Sequence, residues 1–371
     1  MFKAIWLIFV LMLLSLILSI SVLSQDNDML IKLKRYEGEI VRLSKEYRLP
    51  SISVAILANQ EIVYSKAFGY SNMENQTAAT DSTPYRIASV TKPIASTIIL
   101  RLVENGDLDL EGNIKDYWKD YYSYFDGKKN WIEENAPQLM SIIENYHYER
   151  DDITLRHHLT HTSEGTPGEN FKYNGFLYST LSKLVDMVSE RDFYSLVKED
   201  IILDLDMRNS LPQQTDKWRP DVLKRLAKPY YKNEKGELVL GEYPPPNLGA
   251  GAGIISTVLD LAKFDIALDK GKLISSESKK LAFTPAKLNN GESIPYGLGW
   301  FVGRYRNDKI VYHTGWQTAS FSALYLKVTD KDLTLILFAN SEDLIAPFME
   351  GLGTGQIGAS PFAKEFLDLF L

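Results

Sequence analysis

Short apolar runs separated by turn residues occur at both ends of the chain, a pattern typical of β-strands. Near the beginning, the runs 51–57 and 62–68 flank a short segment, 58–61, which indicates a β-hairpin. Toward the other end, the same pattern predicts four further strands, at 299–305, 309–313, 321–328 and 333–339. Polar turn residues separate several of these runs, so each run is bounded as a strand should be.

Helical periodicity and loops dominate the chain between these strands, from about 87 to 268. Ahead of the first strand, 30–47 has an apolar stripe at three- and four-residue steps, which predicts an amphipathic helix. Strands at both ends with helices between them predict an α+β fold in which both ends build one sheet. We expect a discontinuous sheet domain, 30–85 and 270–371, with a mainly helical domain, 86–269, inserted into it.

A stretch rich in aromatic and charged residues, 117–152, lies within the helical part. Its tyrosines and tryptophans are Tyr117, Trp118, Tyr121, Tyr122, Tyr124, Trp131, Tyr146 and Tyr148. The simpler interpretation is a helical excursion packed on the inserted domain. The alternative is a lid or wall that shapes the choice of substrate.

The first 24 residues predict an export segment. A short positive start containing Lys3 precedes an apolar run, 4–23, and 22–24 offers a signal-peptidase site. The apolar run is long for a signal peptide and just sufficient for a membrane span, so a cleaved signal and an uncleaved anchor both stay open. In either case we expect the rest of the chain on the periplasmic or extracellular side, touching the membrane only through this segment if it is uncleaved.

Composition narrows the classes of function. The formal net charge of −7 and the pI near 5.4 argue against nucleic acid as a partner. The chain has no cysteine, which excludes disulfides, thiolate metal sites, cysteine nucleophiles and a lipidated-cysteine anchor. Its 371 residues are enough to bury a sizeable core.

Ser89 and Lys92 form the most informative local pattern. On a helix, residues three apart lie on one face, so the lysine amine would lie near the serine hydroxyl. A lysine can accept the serine proton only when neutral, a state favoured by burial and by the partial positive charge of a helix start. Pro93 supports a helix start here. The same spacing at 195–198 and 276–279 is interpreted as exposed helix surface.

Five stretches, in this order, resemble the serine β-lactamase and penicillin-binding-protein superfamily, and within it the class C branch with its D,D-carboxypeptidases, D-aminopeptidases and esterases. They are 84–93 (around Ser89), 153–163 (Ile-Thr-Leu-Arg-His-His-Leu-Thr-His-Thr-Ser), 249–257 (glycine-rich), 296–300 (Tyr-Gly-Leu-Gly-Trp) and 313–315 (His-Thr-Gly). The similarity runs from about Leu30 to about Asn340. It implies a β-lactamase/transpeptidase-like fold with an antiparallel sheet and an active site in the cleft between two domains.

The resemblance also implies roles for individual residues. Ser89 is the expected nucleophile, and Lys92 and Tyr173 are the expected proton-handling groups. Four consecutive residues are expected to line the cleft and contact the substrate: His313, Thr314, Gly315 and Trp316. Histidine 313 would act by charge and hydrogen bonding near the substrate carboxylate or the tyrosine, and the N–H groups of Trp316 and Ser89 would form the oxyanion hole.

One departure from the family pattern concerns Tyr-x-Asn, because this chain has Tyr173, Asn174 and Gly175. The amide expected two residues after the tyrosine is missing, and Asn174 would replace it only if the loop were shifted. The resemblance implies that the asparagine of the family pattern hydrogen-bonds the lysine and the amide carbonyl of the substrate. Loss of one such contact costs about 1 kcal/mol, or up to about 3 kcal/mol if a buried partner is left unpaired. The departure weakens the case for β-lactam hydrolysis in particular.

Neither a metal nor a cofactor is expected. His157 and His161 have a spacing used by metal ligands on helices, but no third ligand accompanies them, and the stretch is better interpreted as structural. The glycine-rich stretch 249–253 is not a dinucleotide-binding fingerprint and is expected to form a close-packed wall of the cleft.

These observations favour an exported serine hydrolase. The expected partners are small-molecule or peptide substrates: D-amino-acid peptides such as peptidoglycan stems first, small esters or amides second, and β-lactams third, as slow acylating inhibitors. The alternative from another class is a catalytically weak penicillin-binding protein that uses the same cleft to hold cell-wall fragments.

Overall fold

The computed structural model describes residues 27–246 and 248–371. The predicted export segment, 1–24, lies outside the described residues. Within the described ranges, none of the helices combines the length and the apolar character needed to cross a bilayer.

The described chain contains the following strands and α-helices. The strands are β1 (Ser51–Ala58), β2 (Glu61–Asn72), β3 (Thr77–Ala78), β4 (Tyr85–Arg86), β5 (Tyr230–Lys232), β6 (Leu238–Leu240), β7 (Ile255–Ser256), β8 (Phe301–Tyr305), β9 (Asp308–Gln317), β10 (Phe321–Val328) and β11 (Leu333–Ala339). The helices are α1 (27–46), α2 (Thr91–Glu104), α3 (Tyr121–Asn135), α4 (Leu155–Leu159), α5 (Gly175–Val188), α6 (Phe193–Leu196), α7 (Pro220–Arg225), α8 (Val258–Asp269), α9 (Ser276–Ala282), α10 (Met349–Gly353) and α11 (Pro361–Phe370).

The main sheet has seven antiparallel strands in the order β3-β2-β1-β11-β10-β9-β8. Its two halves meet where β1, from the start of the chain, pairs with β11, from the end; Ile52 faces Ala339 in this pairing. The fold class predicted from the sequence, α+β with one antiparallel sheet built from both chain ends, is confirmed.

Both faces of the sheet are covered, and alternate residues of each central strand serve different cores. On β11, Leu335 and Leu337 pack with the terminal helices α1 and α11. The alternate residues of the same strand, Ile336 and Phe338, pack with the helical middle of the chain, including α2 and α8. This double coverage explains why every residue of β1, β10 and β11 is buried and why their sequences are largely apolar on both faces rather than alternating.

Two strands near the end of the chain differ from prediction in their bounds. β9 continues to Gln317, four residues beyond the predicted end at His313, because those residues pair with β10. β8 begins at Phe301, two residues later than predicted. The extension of β9 matters for function, since its pairing with β8 stops at Tyr312 and the rest of that edge projects toward Ser89.

The aromatic excursion 117–152 contains α3 and a 3₁₀ turn, Pro137–Ile142. Its aromatic side chains pack on one another; Trp118 and Phe125 have ring centroids 5.8 Å apart. Both residues are buried in the core that also holds α2 and α5. The excursion is therefore packed on the helical part of the molecule, as the simpler interpretation expected.

Candidate active site

Ser89 lies in a single 3₁₀ turn, Ala88–Val90, that leads directly into α2. Ala88 and Val90 are buried, whereas Ser89 is partly exposed, so the turn presents the hydroxyl at the protein surface. Ala88 has φ +48°, a left-handed conformation that is uncommon for a residue other than glycine. The Ile87 N–H donates to the Ile254 carbonyl (3.1 Å), which fixes the turn to the end of the glycine-rich stretch.

The amine of Lys92 lies beside this hydroxyl. Its Nζ is 3.0 Å from Ser89 Oγ and 3.0 Å from the Gly251 carbonyl oxygen, and the side chain is completely buried. Burial lowers the pKa of Lys92 from 10.5 to about 7. A substantial fraction of this lysine is therefore neutral near pH 7 and able to accept the serine proton.

Tyr173 completes the predicted group of three. Lys92 Nζ lies 4.9 Å from the centroid of its ring. Burial raises the pKa of the Tyr173 hydroxyl well above its usual value, and the neighbouring Ser89 side chain offsets part of this rise. The structure thus brings Ser89, Lys92 and Tyr173 together, with the serine hydroxyl next to both proton-handling groups.

The end of β9 approaches the Ser89 turn from the other side. A Cβ atom added to Gly315 would lie 2.2 Å from the Ile87 carbonyl oxygen, so only glycine permits this approach. Thr314 is nearly buried, and Trp316 is exposed, with its indole N–H donating to Glu342 Oε2 (2.8 Å). The predicted substrate-contacting strand is therefore adjacent to the nucleophile, while the oxyanion-hole role of its N–H group stays a prediction.

His313 occupies a different environment from the rest of this strand end. It is completely buried, and its Nδ1 donates to the Thr314 carbonyl (2.7 Å), which leaves Nε2 to accept from the Tyr296 hydroxyl (2.9 Å). Burial, and secondarily the charge of Lys92, hold the pKa of His313 well below its usual value. The structure therefore places a neutral His313 behind Tyr173, at 6.1 Å between ring centroids, with both nitrogens already engaged.

The structure shows the surroundings of Asn174 and of Gly175, which stands where the family has an asparagine. Asn174 caps α5 by accepting from the Leu177 N–H (3.0 Å), and its Nδ2 donates to the Ile142 carbonyl (2.8 Å) and to Glu164 (2.7 Å). These bonds commit its side chain, so Asn174 does not substitute for the family amide. A Cβ atom added to Gly175 would instead lie 4.0 Å from Lys92 Nζ, which is where an amide could orient the lysine.

Three parts of the site were not identified from the sequence: the Gly251 carbonyl, Tyr178 and His161. Lys92 Nζ lies 5.3 Å from the Tyr178 ring centroid, and the Tyr173 and His161 rings are 4.3 Å apart. For Gly251 the sequence gives a partial indication, because the glycine-rich stretch is expected to form a close-packed wall of the cleft. A Cβ atom on Gly251 would lie 2.3 Å from Ser179 Oγ, in agreement with that expectation.

The two histidines with metal-ligand spacing make separate hydrogen bonds. His157 Nδ1 accepts from the Thr154 N–H (3.1 Å), and His161 Nδ1 accepts from the Asn174 N–H (3.1 Å). Among residues 27–246 and 248–371, no three histidine or carboxylate side chains cluster as metal ligands would.

Comparison with known proteins agrees with this geometry. The model of the beta-lactamase family matches residues 36–351. Penicillin-binding protein 4* of Bacillus subtilis (strain 168) is 26% identical over 315 residues, which cover 76% of this chain and 66% of that protein. The chain thus spans just under two thirds of the length of this relative.

Solved structures show the same fold. The octameric penicillin-binding protein homologue from Pyrococcus abyssi is 24% identical with a TM-score of 0.70, over 90% of this chain and 80% of that one. The D-amino acid amidase from Ochrobactrum anthropi SV3, complexed with L-phenylalanine amide, is 17% identical with a TM-score of 0.67, over 91% and 98%. The resemblance found in the sequence is thereby confirmed, and the chain belongs to the beta-lactamase family.

Proposed function

We propose that this protein is an exported serine hydrolase that acts through an acyl-enzyme. Ser89 attacks a carbonyl carbon while Lys92 accepts its proton, Tyr173 and Lys92 pass a proton to the leaving group, and water releases the acyl group. The observation that carries the proposal is the 3.0 Å separation of Lys92 Nζ from Ser89 Oγ, together with the lowered pKa of the buried amine.

Stabilisation of the oxyanion is assigned to the backbone N–H groups of Ser89 and Trp316. The close approach of Gly315 to the Ile87 carbonyl supports this assignment, because it holds the strand end against the nucleophile turn. Two such donors contribute several kcal/mol to transition-state stabilisation, about 3 kcal/mol for each donor removed.

The substrates we propose are D-amino-acid peptides such as peptidoglycan stems, and after them small esters or amides. A penicillin-binding protein among the relatives and a D-amino acid amidase among the similar structures both support this order. β-Lactams are proposed to acylate Ser89 slowly rather than to be turned over, since Gly175 leaves Lys92 without the family amide.

Export is proposed from the apolar run 4–23 that follows the positively charged start. The catalytic part would then face the periplasm or the cell exterior, where peptidoglycan is found. Contact with the membrane would come only from that run, if it is not cleaved.

A second candidate function is a penicillin-binding or cell-wall-fragment-binding protein with weak catalysis. The observation that favours it is the loss of the orienting amide, which Asn174 does not replace. The two candidates share the same cleft and differ in whether bound substrate reacts with Ser89.

Covalent labelling tests whether Ser89 is activated, which the hydrolase proposal requires and a protein that only binds its ligand does not. We expect the purified protein to be labelled by a fluorescent penicillin or a fluorophosphonate, and the Ser89→Ala variant to remain unlabelled, because both reagents require an activated serine. Preference for one reagent would distinguish peptidase-like from esterase-like behaviour. If neither reagent labels the wild type under conditions in which a penicillin-binding protein reacts, the hydrolase proposal fails in favour of a binding protein.

A further inference from the structure

We propose that His161 is a positioning residue for the reaction, a neutral histidine that holds Tyr173 in place beside Ser89 and Lys92. This inference rests on the proposed serine hydrolase function. It concerns a side chain whose sequence context suggested only a structural turn or a metal ligand.

The first observation is that His161 holds the chain on both sides of Tyr173. Its backbone carbonyl accepts from the Lys172 N–H (2.9 Å), and its Nδ1 accepts from the Asn174 N–H (3.1 Å). These are the residues immediately before and after Tyr173. His161 itself has φ +56°, a conformation that few residues other than glycine adopt.

The second observation is that the imidazole packs directly on the tyrosine ring. The centroids of the His161 and Tyr173 rings are 4.3 Å apart at an interplanar angle of 36°. The same imidazole lies 5.1 Å from the Tyr178 ring and 4.9 Å from the Tyr296 ring. Close packing of this kind restricts the movement of Tyr173 without using its hydroxyl group, which stays free for Ser89.

The third observation concerns charge. His161 is 3% exposed, and burial, reinforced by Lys92, His313 and His158, keeps its pKa well below the usual value. Because Nδ1 accepts a hydrogen bond, the single proton of the neutral ring is on Nε2, which has no hydrogen-bond partner among the described residues. A positive charge here would repel the positive form of Lys92, so a neutral ring suits the site.

These contacts assign His161 a role through Tyr173, and not as a proton carrier. Misplacement of a reacting group by about 1 Å can cost about a hundredfold in rate. Removing His161 should therefore slow acylation while leaving reagent binding and the pH dependence set by Lys92 nearly unchanged.

Two substitutions separate the contributions of the ring and of its acceptor. His161→Phe keeps an aromatic ring but leaves the Asn174 N–H without an acceptor. His161→Asn keeps an acceptor and tolerates the left-handed backbone but removes the ring. The matched control is His158→Asn, since His158 is 1% exposed, lies three residues away and bonds to Tyr146 (2.8 Å).

The experiment measures acylation by a fluorescent penicillin at increasing concentrations, which gives the rate constant at saturation and the half-saturating concentration. We expect His161→Phe to lower the rate constant about tenfold to a hundredfold and His161→Asn about threefold to tenfold. The half-saturating concentration should change less than about threefold in both variants, and the midpoint of the pH–rate profile should stay at its wild-type value. Should His161→Phe fail to fold, His161→Asn alone carries the test.

The control distinguishes positioning from simple destabilisation. His158→Asn should lower the Tm while acylating at close to the wild-type rate. The inference is overturned if the His161 variants acylate like the wild type. It is also overturned if His158→Asn loses as much acylation rate for each degree of lost Tm as the His161 variants do. A wild type that no reagent labels overturns the proposed function as well, whereas a labelled wild type with unaffected variants overturns this inference alone.

Discussion

At the scale of single residues, the site depends on a lysine that the fold keeps away from water. Lys92 has a serine hydroxyl and a backbone carbonyl as hydrogen-bond partners, and among the described residues no carboxylate forms a salt bridge with it. Removal from water destabilises the charged form of such an amine more than its neutral form. The fold accepts this energetic cost at a position where the proposed mechanism requires a neutral amine.

Acylation is therefore predicted to depend on pH through Lys92. Below its pKa of about 7 the amine is protonated and cannot accept the serine proton, so the rate should fall about tenfold per pH unit. Above that value the rate should level off. The measurement is the rate of penicillin labelling from about pH 5 to about pH 9, and a rate that still rises about tenfold per pH unit at about pH 9, as an ordinary lysine would give, would contradict the assignment.

The same pKa shift has a consequence for stability that serves as a control. Between about pH 7 and pH 10.5 the unfolded chain binds more protons at Lys92 than the folded chain does. The contribution of this group to the free energy of unfolding should therefore rise with pH across that window. Lys92→Met should remove this contribution, abolish labelling, and leave the protein folded.

At the scale of elements, the first turn of α5 explains the altered position of the asparagine. Asn174 caps the helix and ties it to the aromatic excursion through Ile142 and to the buried carboxylate of Glu164. Glu164 in turn pairs with Lys172 (2.7 Å). The amide thus contributes to the framework of the cleft, and the next residue, Gly175, leaves the space beside Lys92 open.

Restoring an amide at that point should increase the reaction rate. Gly175→Asn is predicted to raise the acylation rate about fivefold, which corresponds to one orienting hydrogen bond of about 1 kcal/mol. The substitution is sterically permitted, because the added Cβ atom would be 4.0 Å from Lys92 Nζ, its nearest neighbour. Rates compared at about pH 9 avoid any change in the protonation of Lys92.

Gly175→Ala is the matched control, since it adds the Cβ atom without the amide. Its acylation rate should stay within about twofold of wild type. If Gly175→Asn reacts no faster than Gly175→Ala, the open space beside Lys92 does not limit the rate, and the argument from the missing amide is wrong.

The strands show which elements a sequence specifies by itself. The predicted bounds of β10 and β11 agree with the observed ones, because each is a mainly apolar run that ends at turn residues. The last residues of β9, from Thr314 to Gln317, carry no such pattern and include a glycine. They are extended because β10 pairs with them and because the Ser89 turn packs against them, and both causes lie in the tertiary structure.

At the scale of the whole molecule, both chain ends are needed to build the sheet that supports β9. Tyr36 in α1 donates its hydroxyl proton to the Phe362 carbonyl in α11 (2.9 Å), across 326 residues of sequence. Between these ends, the helical part contributes Ser89, Lys92 and Tyr173. The division into two domains, 30–85 with 270–371 and 86–269, stays a prediction that is compatible with this arrangement.

The candidate site was predictable to the extent that its residues lie in recognisable short motifs. Ser89 and Lys92 are three residues apart, and their proximity follows from helix geometry alone. The Gly251 carbonyl is 159 residues from Lys92, and the packing of His161 on Tyr173 depends on a left-handed turn. No local pattern specifies such contacts, because they arise only when distant segments pack together.

The aromatic excursion, 117–152, contacts the cleft as well as the helical core. Its Ile142 carbonyl accepts from Asn174, and the Asn145 carbonyl accepts from the Gly165 N–H (2.7 Å), so this segment contacts the loops that carry Tyr173. We propose that it acts as a fixed wall of the cleft. This role would allow it to influence which substrates enter, in line with the alternative interpretation of the sequence.

The measurement that tests the central claim most directly is mass spectrometry of the protein after brief reaction with a penicillin. The account predicts that the intact mass increases by one penicillin and that peptide mapping places the adduct on Ser89. Ser89→Ala and Lys92→Met should show no adduct under the same conditions. An adduct on another residue, or none on a wild type treated beside a reactive penicillin-binding protein, would contradict the assignment of Ser89 as a nucleophile activated by Lys92.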